Sequence, residues 1–155
     1  MTPILFIGRV RRSLYLLFLG CMTSCLPFGD DIELVGGEIT GKEIKEVAAL
    51  TGLTFSNGTK SIGYYFMGSG IDDALSIKVS IPEGTKDEFL KNEIFKNGNK
   101  SKASIQIGRS RSWWKLDELK DRIDGSSQLP KGRYAECTLG KEEGSWVAYI
   151  SWMST

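Results

Sequence analysis

The chain has 155 residues, with 20 Lys plus Arg against 19 Asp plus Glu, three Cys, eighteen Gly and no His. Without an imidazole, Ser/His/Asp and Cys/His catalysis, His-ligated zinc and a histidine pH switch are all excluded. Charged residues at 25% and hydrophobic residues at 41% describe a globular chain of one domain, neither disordered nor multi-spanning.

In chain order, the first feature is a charge asymmetry. Arg9, Arg11 and Arg12 precede an apolar run over residues 13–24, and no acid appears before Asp30. That order is a signal peptide's, because positive charge stays on the cytoplasmic side while the apolar stretch inserts. A helix over those twelve residues spans only about 18 Å at ~1.5 Å per residue, well short of a ~30 Å hydrocarbon core. Extending it back through Ile4 to Ile7 would bury three arginines in lipid at several kcal/mol each. A stable span and a buried core helix are therefore the weaker readings.

Met22, Thr23 and Ser24 place small residues directly before Cys25, and here the leader resembles that of bacterial lipoproteins. The resemblance covers residues 1–25 only and implies nothing about the rest of the chain. It implies that the Cys25 thiol takes a diacylglyceryl group, that residues 1–24 are removed, and that the new amino group is acylated. Three acyl chains make a durable anchor where one is marginal. Cys21, behind Phe18, Leu19 and Gly20, is the alternative lipidation site, though Leu19 is bulky for a cleavage box. Met22 stands where Leu is usual. Arg11 and Arg12 also suggest a twin-arginine signal, but the rest of that motif is missing and the general secretory route fits better. By the same resemblance, Leu26 in place of Asp points to the outer membrane. A cytoplasmic protein with an artefactual upstream start is the competing explanation of the leader.

Removing the leader takes 20 cations to 17 against 19 acids, a mature net charge of −2. No basic surplus remains for nucleic acid. Once Cys25 is lipidated, Cys137 is alone in the body and no internal disulfide can form.

Residues 25–38 read as a lipidated tether, rich in Pro, Gly and acid, and residues 39–155 as a single globular domain. Thr40 to Glu43 form a capping box before Ile44, Val47, Ala48 and Leu50 at helical spacing, with Gly52 as the stop. Leu53 to Ser56 and Ser61 to Met67 read as strands across an Asn57-Gly58 turn. Leu75, Ile77, Val79 and Ile81 alternate with Ser76, Lys78 and Ser80 in the clearest strand of the chain. A second capping box, Thr85 to Glu88, opens a helix running towards Asn97-Gly98. Ala103, Ile105 and Ile107 predict a short strand, Trp113 to Ile123 a helix, and Gly125 to Gly132 a loop. Arg133 to Leu139 and Ser145 to Met153 predict a terminal hairpin. Its last strand is apolar on both faces and therefore central. The class expected is α+β: a mainly antiparallel sheet of about five to six strands, with two to three helices packed on one face.

Asp72 and Asp73 are a carboxylate pair suited to calcium or acid/base work, but a calcium loop needs further spaced ligands and no metal site is expected. Cys137, amid strand residues, reads as a buried small hydrophobe. Ser126 and Ser127 with Lys131 lack the spacing of a Ser/Lys pair. Arg109, Arg111, Trp113 and Trp114 are the interaction candidates, since Trp and Arg dominate binding hot spots; the competing view buries one Trp in the core. No cofactor is expected. The function these features point to is that of an exported, lipid-anchored, non-enzymatic interaction module facing the periplasm, with an envelope protein as partner. The alternatives are a carboxylate-dependent hydrolase of envelope polymers and a periplasmic immunity or inhibitor lipoprotein.

Overall fold

A computed structural model of the chain describes residues 30–68, 72–96 and 105–154. The elements are β1 (Ile32–Val35), a 3-10 turn (Gly36–Glu38), α1 (Gly41–Thr51), β2 (Lys60–Met67), β3 (Ala74–Ser80), α2 (Lys86–Phe89), α3 (Glu93–Lys96), a second 3-10 turn (Leu116–Glu118), β4 (Lys120–Leu129), β5 (Arg133–Glu142) and β6 (Ser145–Met153). The six strands make one sheet in the order β1-β2-β3-β6-β5-β4, and every neighbouring pair is antiparallel.

Period-2 alternation aligns the apolar residues into rows across this sheet. Tyr64, Ile77, Ile150 and Cys137 lie side by side on four strands, and Phe66, Leu75, Trp152 and Ala135 form the next row. Val47 of α1, Phe89 of α2 and Ile94 of α3 enter the same core cluster. Leu75, Ile77, Leu139 and Ile150 are completely buried, each stabilising the fold by roughly 1.5–3 kcal/mol. β6 lies between β3 and β5, the central place that its two apolar faces require. The turn after β5 is Glu143-Gly144, both with positive φ (51° and 86°), matching the twist of its hairpin.

At the start of α1 Thr40 caps as expected, its Oγ1 accepting from the Lys42 N–H, but the Glu43 carboxylate accepts from the Thr40 hydroxyl instead of completing a capping box; Gly52 ends the helix at φ 74°. Five other expectations are corrected. Residues 32–38 are not tether, because β1 pairs with β2 through Ile32↔Phe66 and Leu34↔Tyr64, so the body begins several residues earlier. Residues 53–56 form no strand, since β2 takes β1 and β3 as its partners and leaves them no edge. The helix from Thr85 is broken into α2 and α3. Thr85 Oγ1 bonds Pro82 O rather than capping, and Asn92 turns its side chain onto Phe89 O and Thr54 O. Residues 113–123 form no α-helix beyond the single 3-10 turn, because Ile123 sits on β4 opposite Leu139 and Asp121 has φ 51°. Of the loop expected from Gly125 to Gly132, residues 125–129 are likewise the second half of β4. A Cβ on Gly125 would stand 2.6 Å from Ile94 O, so only glycine lets α3 approach this strand.

Candidate functional site

The second face of the sheet carries Ser76, Lys78, Tyr149, Ser151, Glu136 and Thr138. Ordinarily such a face would be solvated. Here the irregular segment 105–119 lies over it, and buried irregular backbone needs hydrogen-bond partners. The sheet side chains supply them. Ile105 N–H donates to Glu136 Oε2 (3.1 Å), Ser76 Oγ donates to Ile107 O (2.7 Å), Lys78 Nζ donates to Trp113 O (3.3 Å), and Lys115 N–H donates to Tyr149 Oη (3.2 Å). The strand expected at 103–107 is absent over Ile105–Ile107 for this reason, and residues 103 and 104 lie outside the described residues.

Lys78 is the centre of this layer. Its Nζ is 2.8 Å from Glu142 Oε1 and 2.7 Å from Oε2, with side-chain exposures of 6% and 15%. Tyr149 Oη donates to Glu142 Oε2 at 2.6 Å. Burial acts to raise the Glu142 pKa, but the hydrogen bonds from Lys78 and Tyr149 and the charges of Lys78 and Lys115 outweigh it and hold it below the usual carboxylate range. Burial, followed by the bond to Glu142, pushes the Tyr149 phenol up. Glu136 goes the other way from Glu142: desolvation raises it against the opposing Ile105 N–H and Arg109 charge.

The four Trp/Arg candidates do not form one surface. Trp113 is buried at 8% exposure, its ring against Gly63, where a Cβ would lie 2.2 Å from Cδ2. Its Nε1 donates to Glu33 Oε1 (3.2 Å). Trp114 is half-buried and meets the Tyr149 ring edge-on at 4.9 Å. Arg111 stacks 4.0 Å from the Tyr65 ring centroid and bonds Glu33 at 2.7 Å, while Arg109 is exposed. Through these contacts Arg111, Trp113 and Trp114 hold the covering segment to the sheet. Large aromatics bury when a face is available.

Asp73 binds Ser154 through its backbone N–H and C=O, and Asp72 is exposed beside it. Among the described residues no group of three or more acids and cysteines could hold a metal ion, and no helix is long and apolar enough to cross a membrane. Cys137 is buried, and desolvation pushes its thiol up, the opposite of an activated nucleophile. Cys25 and Cys21 lie outside the described residues.

A groove of about 630 Å³ opens between α1 and the β1–β2 edge, with Ile32, Leu34, Tyr64 and Phe66 as its floor and Lys42, Glu43, Lys45 and Glu46 along its rim. Glu46 accepts from Tyr64 Oη (3.1 Å) and Glu43 from Thr40 Oγ1 (3.1 Å). Burial and Glu46 together raise the Tyr64 phenol. Sequence reasoning missed this groove because residues 32–38 read as tether. The i, i+3 spacing of Lys42 and Lys45 beside the apolar Ile32 and Leu34 was the available signal.

No protein-family model, curated protein or solved structure matches this chain.

Proposed function

We propose that this is an exported, lipid-anchored protein of a bacterial cell envelope whose small domain acts as a non-enzymatic binding module facing the periplasm, moored through Cys25 to the outer membrane. The observation that carries the reading is the order along the chain: three arginines, a twelve-residue apolar run, Thr23-Ser24-Cys25, and then the first strand at Ile32. An anchor and a folded body are separated by only six residues.

The binding half of the reading is supported by how the chemically capable groups are used. Asp31, Glu33, Glu46, Asp124, Glu136 and Glu142 each hold a hydrogen-bond donor of the fold, and the Cys137 thiol is a core side chain. The same reading takes the fold as α+β with its helices gathered on one face of the sheet, supported by the shared core of Val47, Phe89 and Ile94 with Leu75, Ile77 and Ile150.

Growth with labelled palmitate tests the anchor. The wild-type band incorporates label and Cys25→Ser does not; label retained by Cys25→Ser and lost in Cys21→Ser would move the site, and no label in either protein would refute the reading.

A further inference from the structure

Among the described residues, the large hydrophobics classed as exposed are Ile32 at 46% and Val35 at 43%. Both belong to β1, the edge strand nearest Cys25, and they point to opposite faces of the sheet. Beside Ile32 the apolar floor of the groove continues through Leu34 and Phe66, and exposed Lys42 and Lys45 stand on its rim. Ile32, Leu34 and Phe66 thus share the groove face of this edge, and Val35 faces the other side. Asp31 accepts from Tyr65 Oη at 2.7 Å and Glu33 from Arg111 at 2.7 Å, on the other side of the strand. The two acids on the groove rim, Glu43 and Glu46, accept from Thr40 Oγ1 and Tyr64 Oη, which leaves the Lys42 and Lys45 side chains as the rim groups without a partner among the described residues.

We propose that the β1 edge and the N-terminal half of α1 are the face by which the domain sits on a phospholipid surface. The inference rests on the lipid-anchor reading and goes further, since an anchor alone sets no orientation. Seven residue steps separate Cys25 from Ile32, at most about 25 Å at ~3.3–3.6 Å per residue. An acylated Cys25 therefore holds β1, and no other strand so directly, within reach of the headgroups. Ile32, Val35 and Phe66 enter the interfacial layer, while Lys42 and Lys45 meet phosphate oxygens, as cations beside an interfacial apolar strip do.

The test uses full-length protein, acylated in cells and reconstituted in vesicles of zwitterionic and anionic phospholipid. An environment-sensitive thiol probe is placed at Ile32→Cys, Val35→Cys or, on the opposite edge strand, Gln128→Cys; buried Cys137 stays unlabelled. Nitroxide-bearing lipid is expected to quench the probes at 32 and 35 by about twofold or more and to leave 128 unchanged. Palmitate incorporation is measured on the same samples. Acylated protein whose three probes are equally unquenched overturns the seating and leaves the anchor standing, whereas absence of acylation overturns both. Blue-shifted but unquenched emission at 32 and 35 also overturns it, because protein, such as a second copy, then covers the edge. Wild type gives an independent check: an amine reagent should modify Lys42 and Lys45 more slowly on vesicles than in detergent, relative to exposed Lys131, and equal rates contradict the proposal.

Discussion

Lys78 and Glu142 form an ion pair at 2.7 Å between β3 and the end of β5, beneath the backbone of Trp113. A pair this buried gives little net stability as a unit, but removing one partner strands the other charge. Lys78→Met is expected to destabilise by about 3–5 kcal/mol, read as a fall in the denaturant midpoint. Lys78→Met combined with Glu142→Leu should recover part of that loss. A double variant as unstable as the sum of the two singles would mean that the charges do not act together.

The two carboxylates of the covered face give opposite pH dependences. Glu142 has a folded pKa below its unfolded value, so its contribution is present above the ordinary carboxylate range and is lost as pH falls through the folded pKa. Glu136 has a raised folded pKa, so it burdens the folded state above that value and the burden lifts as pH falls. Urea unfolding across the acid range should show Glu142→Gln losing most stability near neutrality and little at low pH. Glu136→Gln, whose amide oxygen can still accept from Ile105 N–H, should be neutral or stabilising at neutrality. The reverse ranking would contradict the environments assigned to the two groups.

Gly63 is required by the Trp113 ring. Gly63→Ala forces its methyl into the indole and should cost about 1–3 kcal/mol, the usual range for overpacking. The loss should come with a red-shifted Trp emission as segment 105–119 lifts. Pairing it with Trp113→Leu should relieve much of the penalty; a fully additive double variant would show that the two do not touch.

The parts of the fold legible in the sequence are those set by local rules. β3 follows from period-2 alternation, β6 from its two apolar faces, and α1 from the Thr40 cap and the Gly52 stop. Segment 105–119 follows from no such rule, because its backbone is satisfied by side chains far away in the chain: Ser76 for Ile107, Lys78 for Trp113, Tyr149 for Lys115. Leu116, Leu119 and Ile123 do match a helical period, yet Ile123 is claimed by β4 through its pairing with Leu139. One clue was present. Gly63 interrupts an otherwise bulky strand, and a glycine there marks the close approach of another group. Of the candidate site, the clustering of Trp and Arg was visible, but not that Gly63 and Glu33 would draw them inward.

Cys137 should be inert in the folded protein. Its burial and raised pKa predict that a thiol-reactive reagent modifies it only at the rate of unfolding, so labelling in native buffer should be negligible and become rapid in denaturant. Fast native labelling of Cys137 would contradict its place in the core and reopen a chemical role.

The identity of the mature N-terminus tests the account most directly. Mass spectrometry of protein extracted from its own envelope should find a chain that starts at Cys25, with a diacylglyceryl thioether on the sulfur and an acyl group on the nitrogen. A free sulfur at position 25, on a polypeptide that still carries residues 1–24 or that is released into the soluble fraction, would contradict it.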